Sequence, residues 1–179
     1  MPQAVVQALA QVHALQGGDG RLAPMLLALV DLEPAIEGGE HDGEQRAGLT
    51  ATAVCSVTAD PPRLVVFVNK NVVASQVILN SGALCVNVLA GEQEDVAKAF
   101  AGMVEGVHGD ARFDYGQWRE LSTGAPTLDD TLANFDCRVI KVFDESTHHA
   151  FLCEVLATRE RNDGEALIYL NGGFRRIPQ

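Results

Sequence analysis

Gly48-Leu49-Thr50-Ala51-Thr52-Ala53-Val54-Cys55-Ser56-Val57-Thr58-Ala59-Asp60-Pro61-Pro62 is the stretch from which the fold is read. Ala51 to Thr58 are small or β-branched and suit a strand. Asp60-Pro61-Pro62 stops that strand, because proline has no N–H to give to a ladder. The same residues carry a second property. Small side chains let a ligand approach the backbone, and Thr50, Thr52 and Ser56 add hydroxyls. Backbone N–H groups with hydroxyls can hold a phosphate without a cluster of cations. A Thr/Ala barrel strand explains the composition equally well, and these residues alone leave both readings open.

Downstream, Leu64-Val65-Val66-Phe67-Val68 is fully apolar and predicts a strand buried on both faces. Val72 to Leu79 predicts a short helix closed by Asn80-Ser81-Gly82, and Leu84 to Leu89 a third strand. Glu92 to Phe100 predicts a helix whose early acids, Glu92, Glu94 and Asp95, complement its dipole. An irregular stretch from Gly102 to Pro126 holds the only tryptophan, Trp118. Strands resume at Asn134 to Phe143, Ala150 to Ala157 and Ala166 to Leu170. Short strands with turn signals and few helices predict a mainly β fold, a closed or partly closed barrel. The crossover helices of a parallel α/β sheet are missing.

Upstream, the pattern changes. Val5, Leu9 and Val12 share one face of a short helix, ended by Gly17-Gly18-Asp19-Gly20. Met25 to Val30 fits a strand or a buried helical turn, and periodicity does not decide. Residues 33–45 read as an acidic loop, part of a run (Asp31, Glu33, Glu37, Glu40, Asp42, Glu44) expected to be solvated. Residues 1–46 are therefore set apart as an atypical N-terminal segment, with the main domain at 47–177.

The net charge of −11 argues against a nucleic-acid partner, which needs a basic face. Apolar runs are shorter than the ~20 residues of a membrane helix, so no membrane partner is expected. No basic cluster precedes an apolar stretch at the N-terminus, and cytoplasmic residence is the expectation. Cys55, Cys85, Cys137 and Cys153 lie among apolar neighbours without C-x-x-C or zinc spacing. They are expected to be buried and reduced, with no metal bound. GxGxxG, HExxH and GxSxG are all absent.

Residues 47–62 resemble the signature strand and turn of the flavin reductase family, the short-chain reductase components of two-component flavin monooxygenases. The likeness continues through LVVFVNKN (64–71), LCVNVLA (84–90), Phe100-Ala101 and WRELSTGAPTL (118–128). It runs on through FDCRV (135–139), THHAFLCEVL (147–156) and ALIYLNGGFRRI (166–177). The resemblance implies a homodimeric, Greek-key, FMN-binding split β-barrel with a few short helices. It implies FMN or FAD as flavin, NADH or NADPH as hydride donor, and a monooxygenase partner served by diffusing reduced flavin. Carried onto this sequence, Thr50, Ala51, Thr52, Ala53 and Ser56 meet the phosphate and ribityl side. Asn69 and Lys70 lie near the phosphate, and Cys85, Val86 and Asn87 line the isoalloxazine. His148 matches the histidine of the family's Gly-Asp-His motif, near the nicotinamide, and His149 is read as outward-facing and incidental.

Three departures from the family stand out. The strand that usually leads into GLTAT is replaced by LLALVDLEPAI (26–36), Val73 stands where a serine is common, and Ser146-Thr147 replaces Gly-Asp. Two competing expectations follow: a flavin-binding protein without turnover, and a degenerate barrel with a structural role. A yellow protein would exclude the second, and bleaching by NADH the first.

Overall fold

The computed structural model describes residues 26–30 (as backbone), 46–161 and 163–178. The helix expected around Val5–Val12, its glycine stop and the acidic run fall outside these residues. The strands are β1 (Leu26–Val30), β2 (Ala47–Ala51), β3 (Val54–Ala59), β4 (Pro62–Asn69), β5 (Ala83–Val88), β6 (Trp118–Arg119), β7 (Thr127–Leu128), β8 (Ala133–Glu145), β9 (His148–Glu160), β10 (Glu165–Leu170) and β11 (Gly173–Pro178). Two α-helices are present among the described residues, α1 (Val73–Ser81) and α2 (Glu94–Phe100).

The signature stretch is two strands, not the single strand expected from Ala51 to Thr58. Seven antiparallel strands run in the order β2-β1-β5-β8-β9-β4-β3, so β2 and β3 occupy opposite edges although only Thr52 and Ala53 separate them. A flat sheet would hold those edges about 29 Å apart. The link from Ala51 to Val54 reaches at most about 11 Å. The sheet must therefore curl until its edges almost meet. No ladder pairs β2 with β3 among the described residues, which leaves the barrel split at that seam.

The segment from Met25 to Val30, ambiguous by periodicity, contains β1. Its backbone pairs with β2 (Leu27 opposite Thr50) and with β5 (Leu27 opposite Asn87). Long-range pairing supplies what a five-residue apolar run cannot specify.

Inside the barrel, Leu64, Val66, Val68, Leu84, Val86, Phe135, Phe151 and Cys153 are almost fully buried. β4 corrects the expectation of two-sided burial. Val65 is half-buried and Phe67 is 39% exposed on its outer face, where no element covers them among the described residues. A continuous apolar run cannot distinguish two-sided burial from an apolar outer face.

α1 lies against β1, β2 and β4, burying Ala74, Val77 and Ile78 at helical spacing. Gly82 (φ 67°) ends it in the left-handed region, its N–H donating to the Ile78 carbonyl at 2.9 Å. α2 follows a 3-10 turn at Gly91–Gln93, so the helix expected from Glu92 starts two residues later. It packs Val96, Ala97 and Phe100 into a second core with Phe113, Leu128 and Leu167. Trp118 joins that core and donates its indole N–H to the Phe113 carbonyl at 2.8 Å. The stretch read as irregular thus contains a 3-10 helix, Gly109–Asp114, and the pair β6–β7.

β10 and β11 form a hairpin that the sequence marks locally. Asn171-Gly172, both at positive φ, form the two-residue turn that favours Asn-Gly.

Candidate functional site

The seam gathers part of the predicted set along one rim. Thr52 and Ala53 are exposed where the chain crosses between the edges. Ala53 is tied to the neighbouring strand, its carbonyl accepting from Phe67 N–H at 3.0 Å. Two residues further along β4, Asn69 pairs in register with His148 of β9. The turn after β4 then holds Lys70, whose backbone N–H donates to the Thr147 carbonyl at 3.0 Å. Asn69 Oδ1 accepts from Asn71 N–H at 2.9 Å, fixing the same turn. His148 is half-buried and shares a hydrogen bond with Thr147 Oγ1 at 2.8 Å. Ser56, half-buried in β3 opposite Leu64, is one strand from this line.

Charge at the rim is set by one pair. Lys70 Nζ bridges to Asp144 near the tip of the β8–β9 hairpin. That ammonium holds the Asp144 carboxyl below its usual range. No side chain caps the start of α1, which follows directly on this turn. Uncapped N–H groups at a helix start and a lysine beside them suit an anion.

Other predicted residues stand away from the rim. Thr50 is on β2, where its hydroxyl donates to the Ala97 carbonyl of α2 at 2.8 Å. Ala51 is half-buried beside it. Cys85, Val86 and Asn87 lie two strands in from the β2 edge, their side chains fully enclosed. Asn87 Oδ1 accepts from Leu128 N–H at 2.9 Å and from Asn134 Nδ2 at 2.7 Å. Burial raises the Cys85 thiol to about 12, despite a hydrogen bond from Thr127. Val86 faces the barrel core, while Cys85 and Asn87 on the opposite face of β5 meet Thr127, Leu128 and Asn134.

Two expectations are overturned. His149 is not outward-facing. It pairs with Val68, whose side chain is fully buried, and it contacts Phe151 edge-on at 5.6 Å. Neighbouring strand residues point to opposite faces, so a histidine pair on a strand must send one ring inward. Only the register decides which. Cys55, expected to be buried, is exposed, because β3 is an edge strand and Cys55 pairs with outward-facing Val65. Asp144, the partner of Lys70, was not foreseen, since nothing in DES (144–146) marks it apart from other surface acids.

A family model described as flavin reductase like domain matches residues 35–178 of this chain. The FMN reductase (NADH) RutF of Stutzerimonas stutzeri is 40% identical over 151 residues, spanning 84% of this chain and 85% of that protein. The 4-hydroxyphenylacetate 3-monooxygenase reductase component of Pseudomonas aeruginosa is 43% identical over 151 residues, spanning 84% and 88%. Among solved structures, BorF, the flavin reductase component of a bacterial two-component tryptophan halogenase, superposes with a TM-score of 0.74 at 26% identity, covering 97% of this chain and 99% of that one.

Proposed function

This chain belongs to the flavin reductase like family, and from that premise we propose that it reduces FMN with NADH and releases the reduced flavin to a monooxygenase. The observation that carries the reading is the exposed Thr52-Ala53 crossing at the barrel seam, with Lys70 in the turn that ends β4 and His148 on β9 beside it. Flavin is a substrate in this scheme. When bound, its ring accepts the hydride, chemistry that needs no protein nucleophile.

The protein's part is to bind and align. Thr52, Ala53 and Ser56 offer hydroxyl and backbone groups to the phosphate and ribityl chain. Lys70 supplies a point charge for the phosphate, in exchange for its pairing with Asp144. Asn69 holds the Lys70 turn in shape through its bond to Asn71. Thr50, Ala51, Cys85, Val86 and Asn87 belong to β2 and β5, whose backbone groups back the ring. His148 orients the nicotinamide, and fixing the two rings together is where the rate is gained. Anaerobic mixing with NADH and FMN tests this. Oxidised-flavin absorbance should be lost far faster than in buffer, and a rate equal to buffer would sink the reading.

The protein acts as a homodimer in this proposal. Phe67, Ala150 and Phe143 lie in one row across β4, β9 and β8, beside a second row of Cys55, Val65 and Leu152. Phe67 and Phe143 remain 39% and 38% exposed. A second copy covering these rows would remove apolar surface from water. Cytoplasmic residence is also proposed. It fits four thiols in the free state and no described helix long and apolar enough to cross a membrane.

A further inference from the structure

Ser75 and His149 make a contact that hydride transfer does not call for. Ser75 lies in the first turn of α1, is fully buried, and shares a hydrogen bond of 2.9 Å with Nδ1 of His149. His149 reaches it from β9, on the inner face beside Val68, with its ring against Phe151. A buried hydroxyl is costly to leave unpaired, so this bond fixes where α1 begins relative to the barrel.

What precedes α1 gives the contact a function. The turn from Asn69 to Val72 carries Lys70 and is tethered at two places. At its start, Lys70 N–H donates to the Thr147 carbonyl at 3.0 Å. At its end, Val72 accepts from Ser75 N–H at 3.0 Å, and Ser75 is in turn pinned by His149. Both anchors belong to one hairpin, at Thr147 and His149 on either side of His148. The paired histidines therefore divide the work. His148 faces the outer rim and His149 holds the turn from inside.

We propose that His149 is a positioning residue for flavin, acting through Ser75 on the turn that bears Lys70 and not on the hydride donor. This rests on the flavin-reducing function proposed above. Loss of either partner lets the first turn of α1 shift and weakens the grip on the phosphate, while the donor site at His148 is left in place. The phosphate is the discriminating feature. FMN should feel the loss, whereas riboflavin, which has no phosphate, should not.

The test is fluorescence titration of wild type, Ser75→Ala, His149→Ala, the double variant and His149→Asn with FMN and with riboflavin. KM for NADH is measured in parallel at saturating FMN. Each alanine variant should weaken FMN binding by about three- to tenfold. The double variant should be no weaker than the worse single, and riboflavin affinity and KM for NADH should stay within twofold. His149→Asn, which can place an amide near the Nδ1 position, should restore FMN affinity. Equal weakening of FMN and riboflavin would mean a general loss of structure and overturn the proposal. Additive single effects, a raised KM for NADH with FMN affinity intact, or failure of the asparagine variant to rescue would also overturn it. Wild type that binds no FMN would instead sink the flavin-reducing function itself.

Discussion

Thr50 and Thr52 are two residues apart, yet their hydroxyls should answer to different measurements. Thr50 donates to the Ala97 carbonyl at 2.8 Å and so joins β2 to α2. Thr50→Val keeps a β-branched shape suited to a strand and removes only that donor. The Ala97 carbonyl still accepts from Ala101 N–H at 2.9 Å, so it is not orphaned. The cost is that of one ordinary hydrogen bond, about 1 kcal/mol. For a domain of this size that lowers Tm by about 2–4 °C. Thr52 is exposed at the seam. Thr52→Val should leave Tm within about 1 °C, as surface substitutions commonly do. If its hydroxyl meets the flavin, affinity falls by about 1–2 kcal/mol, roughly five- to thirtyfold in Kd. Thermal scanning of the free proteins and fluorescence titration with FMN separate the two effects. An inverted pattern, with Thr50→Val altering only Kd and Thr52→Val altering only Tm, would refute the assignment of the two hydroxyls. An FMN Kd for Thr52→Val unchanged within twofold would remove Thr52 from the site.

His148→Ala should raise KM for NADH and lower kcat/KM by about 10- to 100-fold, or 1.4–2.8 kcal/mol of transition-state stabilisation, with FMN affinity nearly unchanged; equal loss of both would place His148 elsewhere. A disulfide-exchange reagent at pH 8 should react quickly with the exposed Cys55 alone and lose that phase in Cys55→Ser. Cys85 and Cys153 are pushed up to about 12 by burial, which leaves only about 10⁻⁴ of each as thiolate; more than one fast thiol would contradict the packing. The same shift has a pH consequence. The folded state holds these protons longer than the unfolded chain does, so stability is full below about pH 9 and declines as pH rises towards 12. Urea midpoints that stay flat over that window would count against it. Phe67→Lys should turn a dimer into a monomer by light scattering, and an unchanged mass would move the interface off the β4 outer face.

Much of this protein follows from its sequence alone. The two short helices, the strands of the β8–β9 hairpin and the extended character of the run from Gly48 to Pro62, though not its division into two strands, are local matters. β-branching, proline and glycine stops and helical spacing act within a few residues. The ordered motifs pointed to the family, and with it to the hydroxyl strand, Lys70 and His148. What lay beyond the sequence depends on pairing between distant segments. Nothing local says that Thr52 and Ala53 bridge opposite edges of a seven-stranded sheet, and that break is what opens the seam. Nothing local says which of two adjacent histidines points inward, because a one-residue change of register would exchange them. Cys55 and Phe67 look as core-like as Cys153 and Val66. Their outward placement follows from strand order and pleat, which leave one apolar face of the barrel without cover among the described residues.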